Sequence, residues 1–581
     1  MLLQRSKPQN FIDEYLIMGS SNDNANRVQS YADMKAQISD RAISEYTISK
    51  YPPDIAKLHN EGYIYIHDRS NGIVPYCHGG DLYTLLSEGL WTTHVVSNPP
   101  KHLSSALGQI ANYFGSMQQE WAGAQAFGDF NTLLAPLLAK DHLTDSQLLQ
   151  LVQEFEYDTN YPFRGGLETP FTNIMFNSVT PEHLADKMVV TPGMHDSVYG
   201  DYYDESMRIL KAFNTIYGQG DASGSPFTFP IPTINLVPGM DWNDPVWDEV
   251  FTTVAKYGTY YFMNYLGTGY KPGSKKAMCC RFNIDLDAIA DAGGRWANEG
   301  STGSVGVVAI NMAKIGYKCR DSNHILETLE YLADKVKESL LLKTAWCQNM
   351  IDSGYLPMSK RYRVDFSRFF RTVGMLGFDE MFMNLNGGHI WDSDNMKLAK
   401  EIMEFTRDWT RKTQQETGML WNWEQVPGES AASSLALIDR KMHPGIYTLG
   451  TPSSPYYSTL LTPPSIEMPI NKRIGIEQEI LPLYSGGTAH RIFMGESIPS
   501  ALGAKKLVNR IATFSRIPYF DLAATFTICP SDGYISGIHR SCPKCGAHTK
   551  IYNRITGYYR DINSANSGKK QEFLDRKYIS I

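Results

Sequence analysis

Two hydrophobic rhythms alternate along the chain. Over roughly 26–60, 103–121, 146–157, 245–265, 322–351 and 394–416, apolar residues recur every three to four positions, so these stretches predict helices. Between them lie shorter runs closed by Gly or Pro. Glu61-Gly-Tyr-Ile-Tyr-Ile-His-Asp68 alternates like a strand. Phe227 to Asn235, Gly303 to Asn311 and Arg371 to Glu380 are β-rich and predict further strands. Strands interleaved with helices predict an α/β core. Residues 1–25 read as a polar lead-in. From about residue 500 two short helical stretches lead into a segment rich in Cys, Gly and Tyr, which predicts a division into 1–500 and a small domain over 501–581.

With 581 residues the chain exceeds what one ordinary core accommodates, so a large barrel with an appendage, or several domains, is expected. The net charge of −7, from 54 basic and 61 acidic residues spread along the sequence, leaves no electrostatic footprint for nucleic acid. No apolar run is long enough to cross a membrane, and the N-terminus lacks an apolar signal region, so a cytoplasmic protein is expected. Eight cysteines in a chain of this length point to metal or redox chemistry and away from a disulfide framework.

Four positions near the end carry metal-ligand spacing: Cys529-Pro-Ser-Asp532 followed by Gly533, and Cys542-Pro-Lys-Cys545 followed by Gly546. Carboxylate oxygen binds zinc, though less well than thiolate, and His539 and His548 are alternative fourth ligands. A closed four-ligand set makes such a zinc structural. The alternative is a degenerate knuckle that folds without metal. Just downstream stands Arg554-Ile-Thr-Gly557-Tyr-Tyr559. A glycine that loses one Cα hydrogen leaves a planar radical, delocalised by its flanking amide groups; the plain reading is a turn glycine.

This pairing resembles the C-terminal module of the class III, anaerobic glycyl-radical ribonucleoside-triphosphate reductases. Ser21-Asn-Asp-Asn-Ala-Asn26, Ile64-Tyr-Ile-His-Asp68, Gly123 to Phe127, Pro170-Phe-Thr-Asn173, Phe227 to Asn235, Gly303 to Asn311, Arg371 to Glu380, Glu429-Ser-Ala-Ala432 and Ser485-Gly-Gly-Thr488 are similar to that family's landmarks, in order. The resemblance implies a ten-stranded α/β barrel of two five-stranded half-barrels, threaded by a cysteine loop, with a small zinc-ribbon-like domain carrying the radical glycine. It is the fold shared with pyruvate formate-lyase, and another enzyme of that type is the alternative. Landmarks that begin near Ser21 imply a short, phage-type form without an ATP cone, regulated in substrate choice alone.

The resemblance also assigns roles. Gly557 would store the radical, installed by a separate activating enzyme that carries a [4Fe–4S] cluster and S-adenosylmethionine. Cys77, in Val74-Pro-Tyr-Cys-His-Gly-Gly80, would abstract the ribose 3′ hydrogen; otherwise it is a buried, inert thiol. Cys280, or its neighbour Cys279, would supply reducing equivalents, since adjacent strand residues face opposite ways. Asn311 would lie in the active site, or else cap the next helix. Cys319 and Cys347 read as core. Formate or a dithiol protein would be the reductant, ribonucleoside triphosphates the substrates and dNTPs the effectors. A homodimer is implied, with the helix at 103–121 (Gln109, Asn112) in the effector region. Gly450 to Tyr456 is a candidate phosphate contact.

Overall fold

A computed structural model describes residues 7–19, 26–272, 275–277, 283–285, 301–555 and 557–579. Its centre is a ring of ten strands. The first half comprises β1 (Cys77–Gly80), β2 (Gln125–Phe127), β3 (Thr172–Asn177), β4 (Ile231–Leu236) and β5 (Tyr261–Asn264), each parallel to the next. The second half comprises β6 (Thr302–Asn311), β7 (Phe369–Leu376), β8 (Trp421–Gln425), β9 (His490–Phe493) and β10 (Tyr519–Ala523). Here β6, β7 and β8 are parallel, as are β9 and β10. The halves meet antiparallel at β1/β6 and β5/β10. The remaining seam, between β8 and the approach to β9, is closed by Gly486 N to Trp423 O (2.7 Å) and Gln425 N to Gly487 O (2.9 Å). Two five-stranded parallel halves therefore close into one barrel, and the Ser485-Gly-Gly-Thr488 landmark forms its closing seam.

Parallel strands clad in helices are buried on both faces, so the rhythm that distinguishes inside from outside is hidden in sequence. Packing reveals it. Cys77, Ala126, Met175, Ile231, Tyr261, Met263, Phe370 and Tyr519 form the inner cluster. Their strand neighbours Phe127, Ile174, Phe176, Phe262 and Phe520 pack outward in the main core. The inner layer sets Cys77, Ala124, Ala126 and Ala489 among aromatic rings such as Tyr261, Phe370 and Tyr519. Gly303 shows how tight the wall is, since a Cβ there would stand 2.0 Å from the Cys77 carbonyl oxygen.

Several expected elements appear with shifted ends: helices Tyr31–Lys50, Pro53–Asn60, Leu103–Met117, Asp145–Asn160, Ser322–Asp352 and Ser393–Thr417, and the strand Ile64–Ile66, paired with β6. Three expectations are corrected. The lead-in contains a helix, Lys7–Met18. The run at 245–265 is a helix, Pro245–Tyr257, capped by Gly258 in the left-handed region (φ 66°), followed by β5. The boundary at 500/501 falls inside the barrel, because helix Ala501–Phe514 packs on Pro245–Tyr257 and β10 is a barrel strand.

The small C-terminal sheet therefore starts at Phe526. Its strands β11 (Phe526–Cys529), β12 (Gly533–Ser536), β13 (Lys550–Arg554) and β14 (Tyr559–Asp561) run antiparallel in the order β12-β11-β13-β14. It is bonded to the barrel through Thr525 Oγ1 to Met494 O (2.6 Å) and Tyr534 OH to Lys256 O (2.8 Å). Among the described residues no helix is long and apolar enough to cross a membrane.

Gly303→Ala is expected to lower stability by about 1–3 kcal/mol, because the backbone atom opposing the new methyl cannot rotate away. Equilibrium denaturation measures the loss, and an unchanged midpoint would contradict the wall geometry.

Candidate functional site: a glycine hairpin docked into the barrel

Strands β13 and β14 are joined by a tight hairpin whose tip carries Gly557. Arg554 pairs with Tyr559 in register, and Ile555 N donates to Tyr558 O at 3.3 Å. The hairpin points into the barrel. The Tyr558 ring lies in the same inner cluster as Cys77, with its edge against Phe171 (4.8 Å between ring centroids). Gly557 itself is buried, and its carbonyl oxygen accepts two hydrogen bonds, from Tyr261 OH (2.8 Å) and Arg554 Nη1 (3.1 Å).

Those donors belong to a buried charged network. Arg554 forms an ion pair with Asp521 (2.9 Å) and donates to the Gly258 and Thr259 carbonyls (2.7 Å each). Arg491 donates from Nε to both Asp521 oxygens (3.0 and 3.1 Å) and from Nη2 to the Tyr261 hydroxyl. Burial penalises the Arg554 charge. The nearby Tyr261 and Asp521 outweigh that penalty and raise its pKa, so it stays charged. Sequence reading flagged Arg554 but missed Tyr261, Arg491 and Asp521, which come from β5, β9 and β10 and carry no local pattern.

Cys77 opens β1 and is fully buried. Its Sγ accepts from Ala124 N at 3.3 Å. A Cβ on Gly123 would come within 2.6 Å of this sulfur, so glycine lets the strand pass close beside it. A cleft of about 700 Å³ runs along this wall. It is bordered by Tyr76, Gly123 and Ala124 on the cysteine side and by Tyr558 on the hairpin side. Arg27, Arg41, Arg69 and Arg164 also line it, together with Asp40, Glu45, Asp68 and Glu168, and so does the Gly428-Glu-Ser430 start of helix Glu429–Met442. Burial, then the charges of Lys343 and His59, hold the His67 imidazole at about 3, so this cleft residue is neutral near pH 7.

Asn311 is fully buried and does not border the cleft. Its Oδ1 accepts from Lys314 N, capping helix Met312–Lys318, and its Nδ2 donates to Asp439 (2.7 Å) and Gly62 O (2.9 Å). The helix-cap alternative describes these contacts; the active-site expectation is withdrawn. Gly450 to Tyr456 forms a hairpin that carries the C-terminal helix through Tyr456 OH to Asp575 (3.0 Å), also away from the cleft lining. Cys279 and Cys280 lie outside the described residues. Cys319 and Cys347 are buried in the main core, as expected, and burial pushes the Cys347 thiol up to about 12.

Cys529, Asp532, Cys542 and Cys545 converge, with ligand atoms all within 4.8 Å of one another. The closest separations are Cys542 to Asp532 (3.1 Å), Cys529 to Cys545 (3.4 Å) and Cys529 to Asp532 (3.6 Å). Tetrahedral zinc with bonds of about 2.0–2.3 Å spaces its donors roughly 3.3–3.8 Å apart, so this set fits a zinc ion. His539 and His548 are not in the group, and His539 Nε2 lies 2.9 Å from the Ser536 carbonyl. The cluster sits at the Lys550 end of β13 and Gly557 beyond the Arg554 end, so this group is remote from the glycine.

Comparison with known proteins places this architecture. The family model for anaerobic ribonucleoside-triphosphate reductase matches residues 23–578. Relatives of that name from Haemophilus influenzae and Escherichia coli are 22% and 21% identical, each over 96% of this chain and 83% of the relative. The anaerobic ribonucleotide reductase of Thermotoga maritima in complex with dATP and CTP has a TM-score of 0.77 at 19% identity, covering 98% of this chain and all of that one. The same enzyme with glycerol in its active site gives 0.78 at 20%, covering 99% and 100%. Hydroxyproline dehydratase from Clostridioides difficile shares the fold more distantly, at 0.59 and 10% identity over 98% of this chain and 88% of its own. Because the family match takes in the barrel, the cysteine cluster and the glycine hairpin together, the chain belongs to the anaerobic ribonucleoside-triphosphate reductases, oxidoreductases of ribonucleoside triphosphates.

Proposed function

We propose that this chain makes deoxyribonucleoside triphosphates by passing a hydrogen-atom vacancy from Gly557 to Cys77. The observation that carries this reading is the shared inner cluster, in which the hairpin bearing Gly557 meets the wall bearing Cys77 inside the barrel. A separate activating enzyme, which holds the [4Fe–4S] cluster and S-adenosylmethionine, removes one Gly557 Cα hydrogen. The Cys77 thiol hydrogen then moves to Gly557, leaving a thiyl radical at the cleft. The thiyl takes the ribose 3′ hydrogen, and the 2′-hydroxyl leaves as water. The replacement of the 2′-hydroxyl by hydrogen takes up two electrons and two protons. Formate, oxidised to carbon dioxide, gives both electrons and one proton, with the second proton from solvent; or a dithiol protein, oxidised to a disulfide, gives both electrons and both protons, with Cys280 or Cys279 as the inner thiol. Cys77 returns the 3′ hydrogen and retrieves its own from Gly557. Burial of both groups keeps water and side reactions away from the radicals.

The triphosphate would draw on Arg27, Arg41, Arg69 and Arg164 in the cleft lining, of which Arg27 and Arg164 already share Glu168 as a partner. The Thermotoga maritima enzyme is described with dATP bound in its specificity site. By extension this chain takes dNTP effectors. Helix Leu103–Met117 suits a homodimer and effector face, because Leu103, Leu107, Ile110 and Phe114 are buried while Ser104, Ser105 and Asn112 are exposed. An effector acts there by favouring one conformation of the neighbouring site.

Zinc, when bound by Cys529, Asp532, Cys542 and Cys545, supplies a structural tie with no open position. These residues brace the turn that ends β11 and the loop that enters β13, and so set the pose of the hairpin.

Cys77→Ala is expected to acquire a normal Gly557 radical signal on activation yet yield no dNTP above background, measured anaerobically with labelled CTP. Residual turnover near the wild-type rate would reject Cys77 as the radical carrier. Gly557→Ala should fold and show neither signal nor turnover.

Asp532→Ala is expected to lower zinc affinity roughly tenfold or more, read by elemental analysis after competition with a chelator. An unchanged zinc content would remove Asp532 from the ligand set.

A further inference from the structure

Tyr261 is fully buried in β5 and stacked on Tyr519 (centroids 4.9 Å apart, planes within 7°). Its hydroxyl lies between Arg491 and the Gly557 carbonyl. Arginine only donates, so the phenol oxygen must accept from Arg491, and the phenol hydrogen is left to point at Gly557. Asp521 holds both arginines, one on each side. The two routes, Asp521–Arg491–Tyr261 and Asp521–Arg554, converge on one carbonyl oxygen. All four side chains are almost wholly excluded from water.

A carbonyl beside a glycine radical shares the unpaired electron, and charge builds on its oxygen as it does so. Donors already aimed at that oxygen stabilise the charge without reorganising. They also fix the peptide plane, and with it the direction of the Gly557 Cα hydrogen. We propose that Tyr261 is a positioning residue of the radical hairpin: its hydroxyl, oriented by Arg491, sets the Gly557 peptide plane and draws spin from the glycine Cα onto the carbonyl. This rests on the reading of Gly557 as the radical site. Tyr261 takes no part in hydrogen transfer itself. Its ring also faces the Arg554 guanidinium at 4.2 Å, a contact that phenylalanine would keep, so the hydroxyl can be tested alone.

The test is Tyr261→Phe in the full chain, activated anaerobically beside wild type and Gly557→Ala. Loss of one neutral hydrogen bond predicts a roughly three- to tenfold fall in turnover per radical, with KM for the ribonucleotide unchanged. It also predicts a larger α-hydrogen splitting of the radical doublet, as spin returns to Cα, and a faster decay without substrate. A purely structural role would alter stability and radical yield but not the splitting. Wild-type protein in D2O gives a second readout, independent of any variant. An exchangeable deuteron coupled to the radical is expected and should weaken in Tyr261→Phe. If the doublet is absent in wild type or survives in Gly557→Ala, the Gly557 reading fails. If it behaves as expected there, while Tyr261→Phe matches wild type in splitting, decay and turnover, the role of Tyr261 is overturned and that of Gly557 stands. Should Tyr261→Phe fail to activate, no exchangeable coupling in wild type would equally overturn it.

Discussion

The glycine hairpin is held inside the barrel by buried charge. Asp521 sits between Arg491 and Arg554, and the donors it organises end on the carbonyl of Gly557. Removing one partner from a buried ion network leaves an uncompensated charge, so its members stand or fall together. That cooperativity gives the hairpin a defined docked pose. The reach into the barrel follows from geometry, since Arg554 ends β13 and Tyr559 starts β14, leaving only a tight turn to enter.

From this constraint the rest of the molecule is arranged in two directions. Inward, Tyr558 of the hairpin and Tyr76, which precedes the Cys77 strand, border one cleft, and Tyr558 and Cys77 share the inner cluster. Outward, β13 leads back to the Cys529, Asp532, Cys542 and Cys545 cluster. That cluster and the hairpin therefore lie at opposite ends of one small sheet.

What was legible in the sequence was local. Cys542-Pro-Lys-Cys545 and Cys529-Pro-Ser-Asp532 carry their spacing on their face, and the structure gathers these four positions. Gly557 stood in a six-residue motif, and the structure places it at a hairpin tip. Long amphipathic helices such as Ser322–Asp352 were readable from their polar face. The missed features were non-local or buried on both sides. Strand β5 was absorbed into a predicted helix because Tyr260 to Met263 is apolar on either face. Asn311 was given to the active site by resemblance, and its partner Asp439 lies far away in sequence. Arg491 and Asp521 read as ordinary charges until three strands bring them to one carbonyl. The cleft's arginines, Arg27, Arg41, Arg69 and Arg164, likewise come from segments scattered through the first third of the chain.

The central claim is that the unpaired electron resides on the Cα of Gly557. Dioxygen adds to such a radical and cuts the backbone at that residue. Protein activated anaerobically, exposed to air and analysed by intact mass should lose its C-terminal segment from Gly557 onward, leaving a fragment that ends at the Thr556–Gly557 junction. An activated sample that stays full length in air, or breaks at another residue, would contradict the account.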